Sequence, residues 1–533
     1  MIFRTVPPIR NSWAAMNQFA PNRRRFLQVA AGALGSASVL KAAADDPISI
    51  DVGRQLFVDD YLIAETSLHR SFHKPRLHDA NPILKPETPL ELNGGKYPVA
   101  CPFQDGVFYD PKDHLYKMWY HAGWHDGTGY AYSEDGVRWV RPNLDVEPGT
   151  NRVLADRADY KRDGTGVWLD LETQDPSERF KLFAKVGTYE QGGLIFTSPD
   201  GIHWKERGHS GPTTSNTNFF YDPFRKDWVY SIRTLNQRGQ RVRSYVAAHD
   251  FIKASSWTPK DVTFYASADE KDLPDPVFGY PTELYNLDAV GYESILLGVF
   301  AIHRGPPNEV CQREGFPKVT DLNLAYSRDG IHWDRPDRSS FLACSKKVGA
   351  WDRGYLHASG GVCVIAGDEL RFYYGGFSGV SPILGSHMYA GASTGLATLR
   401  RDGFCSMDAG PQMGTLTTQP LRFKGRYLFV NANSRGGDLT VEVLGPDGKA
   451  VRGFARNDCK PLRADGTRQQ VRWRSTADLA ALRDHPISLR FHAVRAQLFS
   501  FWISPEQSGA SHGYVAAGGP GFTGPTDTIG GRA

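Results

Sequence analysis

A chain of 533 residues with 12% aromatics, 55 glycines and 34 prolines is long enough for one large domain and a smaller one, and its composition suits sheets joined by many turns. A net charge of +4 is too weak to drive binding to nucleic acid or to a membrane surface. Six cysteines, at 101, 311, 344, 363, 405 and 459, lack CxxC spacing, which argues against a zinc ribbon or a dense disulfide scaffold and leaves one or two disulfides open.

The chain opens with Asn22-Arg23-Arg24-Arg25-Phe26-Leu27-Gln28, which matches the twin-arginine export pattern. Val29 to Leu40 follows as a mildly apolar stretch too short and glycine-rich to span a bilayer, and Ala42-Ala43-Ala44 before Asp45 has the small residues of a cleavage site. The plain alternative is a disordered basic tail. Residues 1–44 are expected to be a signal peptide, leaving a periplasmic or secreted protein with no membrane attachment. Ile48 to Glu65 alternates and is rich in β-formers, so it is expected to form a strand pair that packs on the next domain or helps to close it. Asp59-Asp60, between Phe57-Val58 and Tyr61-Leu62, reads as a turn rather than an acidic pair.

From about residue 95 to 410 a strand–turn–strand pattern recurs five times. Its clearest copy is Cys101 to Tyr120, where Gly106 to Tyr109 and Leu115 to Tyr120 flank Asp110-Pro111-Lys112-Asp113. Related units begin at Gly166-Val167-Trp168-Leu169-Asp170, Phe219-Phe220-Tyr221-Asp222-Pro223, Glu283-Leu284-Tyr285-Asn286-Leu287-Asp288 and Gly361-Val362-Cys363-Val364-Ile365. Three units continue into Ser-x-Asp-Gly-x-x-Trp hairpins, Ser133 to Trp139, Ser198 to Trp204 and Ser327 to Trp333, in which Asp-Gly supplies positive φ and the Trp can wedge between sheets. Five repeats of about four strands each predict an all-β fold, a five-bladed β-propeller spanning 45–410 with its N-terminal strand extension. Residues 267–282 and 305–320 are long connections expected over one face. Plain amphipathic strands between 411 and 505 predict a β-sandwich, and the Gly-rich residues 506–533 are expected to be disordered.

In a propeller the inner strands surround one channel, so residues that begin those strands converge. Registering the units on Asp110, Asp170, Asp222 and Asp288 places Asp105, Thr165, Thr217 and Glu283 at one level. Asp163 lies two residues before Thr165 and on the same strand face. Asp105, Asp163 and Glu283 are therefore the candidate catalytic carboxylates. Such a cluster suits glycoside hydrolysis, in which one carboxylate attacks the sugar or activates water and one acid protonates the leaving oxygen. Trp124, Trp168, Asn218, Tyr280 and His357 are the candidate sugar-binding residues. His121, His125, His357 and His387 flank blade strands with no metal-site spacing, so neither a metal nor another cofactor is expected, and no loop demands calcium.

Three features resemble the five-bladed propeller glycosidases, the arabinanase, invertase and levansucrase group (glycoside hydrolase families 43, 32 and 68). Asp105 stands ahead of Tyr116-Lys117-Met118-Trp119-Tyr120 as in that group's first blade. Arg162-Asp163-Gly164 is similar to its second-blade Arg-Asp-Pro motif, with Gly for Pro, and the repeated Ser-x-Asp-Gly-[Ile/Val]-x-Trp hairpins precede a β-sandwich as in invertases. The resemblance covers roughly residues 95 to 504. It implies that Asp105 is nucleophile or general base and Asp163 the transition-state stabiliser. The third-blade acid of the group is missing, since that blade carries Ser215-Asn216-Thr217-Asn218, and Glu283 is the best substitute.

Each carboxylate also has an ordinary reading: Asp105 in an Asx turn, Asp163 in a surface turn, Glu283 as a salt-bridge partner. The aromatic candidates have packing between blades as theirs. The favoured function is an exported glycosidase with a carbohydrate substrate, oligomeric state open. A non-catalytic carbohydrate-binding propeller is the alternative. A third class, a sialidase-like hydrolase or a lyase, would need an arginine cluster and a Tyr nucleophile, for which Arg233, Arg241 and Arg243 are the nearest group.

Overall fold

The structure is a computed structural model, described over residues 46–155, 162–474, 476, 478–483 and 485–530. The twin-arginine segment with its apolar stretch and cleavage site lies outside the described residues, as do Tyr160 and Lys161. The described part is nearly all β; its α-helices are three short ones, Pro89–Leu92, Phe251–Ser255 and Asn308–Glu314. No described helix is long and apolar enough to cross a membrane.

All five repeats fold as antiparallel meanders. The first is Val99–Asp110, Leu115–Ala122 and Gly127–Ser133. The second runs Thr165–Leu169, Phe180–Lys185, Gly193–Ser198, Lys205–His209, and the third Asn218–Asp222, Asp227–Leu235, Arg241–Ala248, Thr263–Ala266. The fourth is Glu283–Glu293, Ile295–His303 and Thr320–Ser327. In the fifth, Gly354–Ala358 and Val364–Ala366 pair with Glu369–Phe377, which pairs with Ala392–Arg400. Ala392 and Ser393 then pair in parallel with Val99 and Ala100, joining the fifth unit to the first. Opening strands pack in succession, the first unit's on the second's, the second's on the third's, the third's on the fourth's. Gly354–Ala358 touches both the fourth unit and Val99–Asp110.

The Asp-Gly hairpins behave as their chemistry requires. Gly136, Gly201 and Gly330 have φ of +73°, +82° and +75°, and each donates its N–H to the serine hydroxyl that starts the motif, at 2.8, 2.9 and 3.0 Å. These glycines also carry contacts between units. Trp119 Nε1 donates to Gly201 O (2.7 Å), Tyr265 OH to Gly330 O (2.9 Å) and Tyr373 OH to Gly136 O (2.9 Å). A Cβ on Gly201 would stand 2.4 Å from the Trp119 ring, and one on Gly136 2.6 Å from the Tyr373 hydroxyl. One device thus links first to second, third to fourth and fifth to first units.

The N-terminal strands do not close this array. Gln55–Leu56 pairs with Ala496–Ser504, Ile63–Thr66 with Gly414–Thr418, and His69–Phe72 with Cys405–Ala409. They complete two antiparallel sheets built otherwise from residues after 404, between which Phe57, Phe491 and Phe501 pack with ring centroids 5.5–6.4 Å apart. Asp59 caps a turn by accepting from Tyr61 N (3.2 Å). All six cysteines are buried free thiols.

The expectation of a disordered tail is overturned over its described part, 506–530. Tyr514–Val515 adds to the fourth unit's opening strand at Tyr292–Glu293. Ala517 accepts from Tyr109 N (2.9 Å) and donates to Cys363 O (3.0 Å), while Gly518 O accepts from Ile365 N (2.9 Å) and Tyr514 OH donates to Pro223 O (3.2 Å). Val515, Ala517, Ser511 and Asp527 are buried. The glycines here serve close approach, since a Cβ on Gly519 would fall 1.8 Å from Ile365 O and one on Gly513 2.2 Å from Glu293. The segment therefore lies across the hairpin-turn ends of the opening strands. Beneath it, Arg401 bridges Glu293 (2.9 Å) and Asp527 (3.3 Å), and Arg54 meets Asp402 (3.0 Å). Burial pushes Asp402 up, but Arg54 and Arg401 outweigh it and hold its carboxyl at about 2.

Candidate active site

The three predicted carboxylates occupy different depths. Asp105 sits where the first unit's opening strand bulges between Cys101 and Gly106, with Gln104 at φ +71°. Its carboxylate accepts from Phe103 N (2.9 Å) and ion-pairs with Arg162, and both side chains are 0% exposed. Arg162 also donates to Thr165 Oγ1 (2.9 Å) and Gly127 O (3.3 Å). Burial pushes the Asp105 carboxyl above its ordinary value, against the pull of Arg162 and the Phe103 N–H. Asp105 thus joins two units in a closed interior and does not reach a mouth as expected. Removing one partner of a buried pair costs about 3–5 kcal/mol, so Asp105→Asn should lower the free energy of unfolding in urea by that order, and Asp105→Leu/Arg162→Leu should recover part of it. A nucleophile would instead lose turnover at unchanged stability.

The register that aligned Asp105 with Glu283 also needs correction. Asn286-Leu287-Asp288 looks like a turn, yet the strand Glu283–Glu293 runs through it and reverses only at Glu293-Ser294, with Tyr292 opposite Ile295. Asp288 is buried and accepts from Asn218 of the third unit's sheet (2.5 Å) and from Asn286 of its own strand (2.6 Å). Asp288 stands five residues before its strand ends at Glu293, as Asp105 does before Asp110. Glu283 lies beyond it, at the end of the strand farthest from the C-terminal segment.

Asp163, two residues ahead of its strand, also lies at that far end, half-buried. Its backbone N–H donates to Lys185 O (3.4 Å), and among the described residues its carboxylate has no hydrogen-bond or ion-pair partner. Glu283 is held on both oxygens, by Arg241 N (3.1 Å) and by the Arg241 guanidinium. The charges of both carboxylates reach Arg233. Burial pulls its guanidinium below the ordinary value, Tyr285 opposes this, Arg241 adds to it, and the charges of Asp163 and Glu283 also oppose it. Arg243 is fully buried and donates to Asn216 O (2.8 Å), Tyr285 O (3.3 Å) and Ser231, so it is not available to a ligand.

Next to these groups lies a cluster centred on Lys318, a residue that the sequence did not flag. Lys318, 2% exposed, donates to Tyr285 OH (2.9 Å), Tyr355 OH (3.4 Å) and Tyr389 OH (3.4 Å), and Tyr285 OH meets Tyr355 OH at 2.8 Å. Tyr355 adopts φ +53°, an uncommon conformation for a bulky residue, and its N–H donates to Lys318 O (2.7 Å). Burial raises the Tyr285 phenol, but the charges of Lys318 and Arg241 outweigh it and bring it down to about 8, whereas Tyr355 and Tyr389 are pushed up by burial and by Tyr285 itself. Of the three phenols, Tyr285 is the first to lose its proton. A tyrosinate absorbance step near pH 8 should be present in the folded wild type, vanish in Tyr285→Phe and move to higher pH in Lys318→Met. Persistence of the step in Tyr285→Phe would refute the assignment.

The predicted sugar-binding residues are dispersed. Trp124 is at the mouth end, half-buried, but stacks on Tyr389 (4.3 Å, 8°) and on His121 (5.0 Å, 25°). Trp168 packs edge-on to Phe108 and Trp228 towards the C-terminal segment. Asn218 is buried and donates to Leu287 O and to Asp288. Tyr280 covers Gly305, whose Cβ would lie 2.8 Å from its ring. His357 is fully buried against Phe103 (3.8 Å) with neither ring nitrogen partnered, and burial followed by Lys318 keeps its pKa well below the ordinary value. Among the described residues no group of three or more His, Cys, Asp or Glu is placed to hold a metal ion.

No family model and no curated protein matches this chain. Solved structures do align with it. An N-acetylgalactosamine deacetylase from F. plautii, in complex with blood group B trisaccharide, is 15% identical with a TM-score of 0.40 over 67% of this chain and 96% of its own. A thermostable family-43 glycoside hydrolase is 11% identical with a TM-score of 0.38 over 58% and 94%. The GH32 β-fructofuranosidase of Bombyx mori is 9% identical with a TM-score of 0.38 over 81% and 94%.

Proposed function

We propose that this chain is an exported, carbohydrate-active enzyme, a five-bladed β-propeller followed by a β-sandwich, that cleaves glycosidic bonds at the propeller mouth opposite the C-terminal segment. The cyclic order of contacts among opening strands and the recurring aromatic-to-glycine hydrogen bonds support the blade count. The Arg23-Arg24 pattern supports export. The observation that carries the function is Asp163, a half-buried carboxylate that among the described residues has no hydrogen-bond or ion-pair partner and whose charge reaches Lys185, Arg233, Tyr355 and Tyr389. Carboxylates left unpaired in a cleft are the groups that glycosidases use as nucleophile, base or acid. Glu283, clasped by Arg241, positions sugar hydroxyls. The buried Asp105 and the clasped Glu283 favour a second reading, a propeller that binds sugar without cleaving it.

The two readings separate in one experiment. Wild type and Glu283→Gln are assayed on aryl glycosides and on arabinan, fructan and mannan oligosaccharides, with binding followed by calorimetry. Turnover by wild type supports the enzyme. Binding without turnover on any of these sugars supports the second reading.

A further inference from the structure

Among the described residues the charges at the mouth do not balance. Arg233, Arg241, Lys185 and Lys318 stand about it against three carboxylates, Asp163, Glu283 and Glu190, and the charges of Asp163 and Glu190 both act on Lys185. Arg241 is spent on Glu283. Lys185, 4% exposed, is spent on the carbonyls of Val186, Gly187 (3.0 Å) and Thr188 (2.8 Å). Lys318 has three phenol oxygens and no carboxylate. Arg233 is left with one protein acceptor on its guanidinium, Ser215 Oγ at 2.6 Å. Among the described residues no carboxylate lies within ion-pair distance of it, and no other side-chain N–H of it is hydrogen-bonded. Burying a cation without a counter-charge is expensive, and a guanidinium presents a planar fork that fits two oxygens of one oxyanion.

We propose that the sugar taken at this mouth carries an oxyanion, as a uronate or a sulfate ester, and that Arg233 is the residue that meets it. The proposal rests on the carbohydrate reading above and adds the substrate class. Ser215 fixes one end of the fork, which leaves its remaining N–H groups for the ligand. Glu283 holds Arg241 at the far side and keeps the second arginine from collapsing onto the same acceptor. Asp163 stays separate, free to act on a glycosidic oxygen while the oxyanion is held by Arg233.

The test uses the full chain and matched pairs of glycans: polygalacturonate and alginate oligomers against their carboxyl-reduced forms, and carrageenan oligomers against their desulfated forms, with affinity read by calorimetry. Tighter binding of the native acidic members than of their neutral counterparts is expected. Which pair shows the loss tells uronate from sulfate ester. Arg233→Met should weaken acidic glycans by about 10- to 100-fold and leave their neutral counterparts unchanged, with Arg233→Lys recovering part of the loss. Equal binding of acidic and neutral members overturns the inference and leaves the carbohydrate reading standing. Failure of every glycan to bind overturns the carbohydrate reading itself. The wild-type comparison decides even if Arg233→Met does not fold.

Discussion

A chain ending at Pro505 should lose most of its folding stability. Residues 510–530 bury Val515 and Phe522, each contributing about 1.5–3 kcal/mol. They also satisfy Tyr109 N and Ile365 N, each of which, left buried without an acceptor, costs about 1–3 kcal/mol. Removing Asp527 and Ser511 further strips partners from Arg401 and Glu293. The sum is on the order of 5–10 kcal/mol, comparable with the whole net stability of a typical domain. The truncated chain is therefore expected in the insoluble fraction, or soluble with a broadened melt at much lower temperature. Gly519→Val should reproduce much of the effect within the full-length chain, because Ile365 O already occupies the place of its side chain. An unchanged unfolding midpoint in the truncated protein would show that this segment is an ornament.

Asp163→Asn should do the opposite: leave the fold and remove the activity. Among the described residues its carboxylate makes no hydrogen bond, and its backbone bond survives the change, so the melting temperature should move little. Loss of a group that exchanges a proton with the substrate costs about 10²–10⁴ in kcat/KM. Glycan affinity should be retained, since Arg233 is untouched. Full turnover in this variant would exclude Asp163 from the chemistry. The contrast with Asp105→Asn, in which stability falls, distinguishes the two carboxylates that the sequence treated alike.

What could be read from the sequence follows from how locally each feature is determined. The Ser-x-Asp-Gly-x-x-Trp hairpins fold through hydrogen bonds within a few residues, and they stand where the pattern placed them. The fourth unit was misaligned because Asn286-Leu287-Asp288 has turn composition. It is kept extended by Asn218 of another sheet, a contact invisible to local reasoning. The glycines after Pro505 read as disorder for the same reason, since what they accommodate is backbone from Glu293 and Ile365. Lys318 followed no motif at all; it comes from a Pro-rich connection and gains meaning only when Tyr285, Tyr355 and Tyr389 gather round it. The N-terminal strands were legible as strands, but their partners lie after residue 404.

The segment across the strand ends has a consequence for traffic. With Tyr514 to Gly518 bonded to the first, third, fourth and fifth units, the propeller proposed above is a cup rather than a tunnel. A long polymer cannot be threaded through a cup. On the proposed reading a glycan reaches the mouth from one side only, and each product leaves by the side on which it entered.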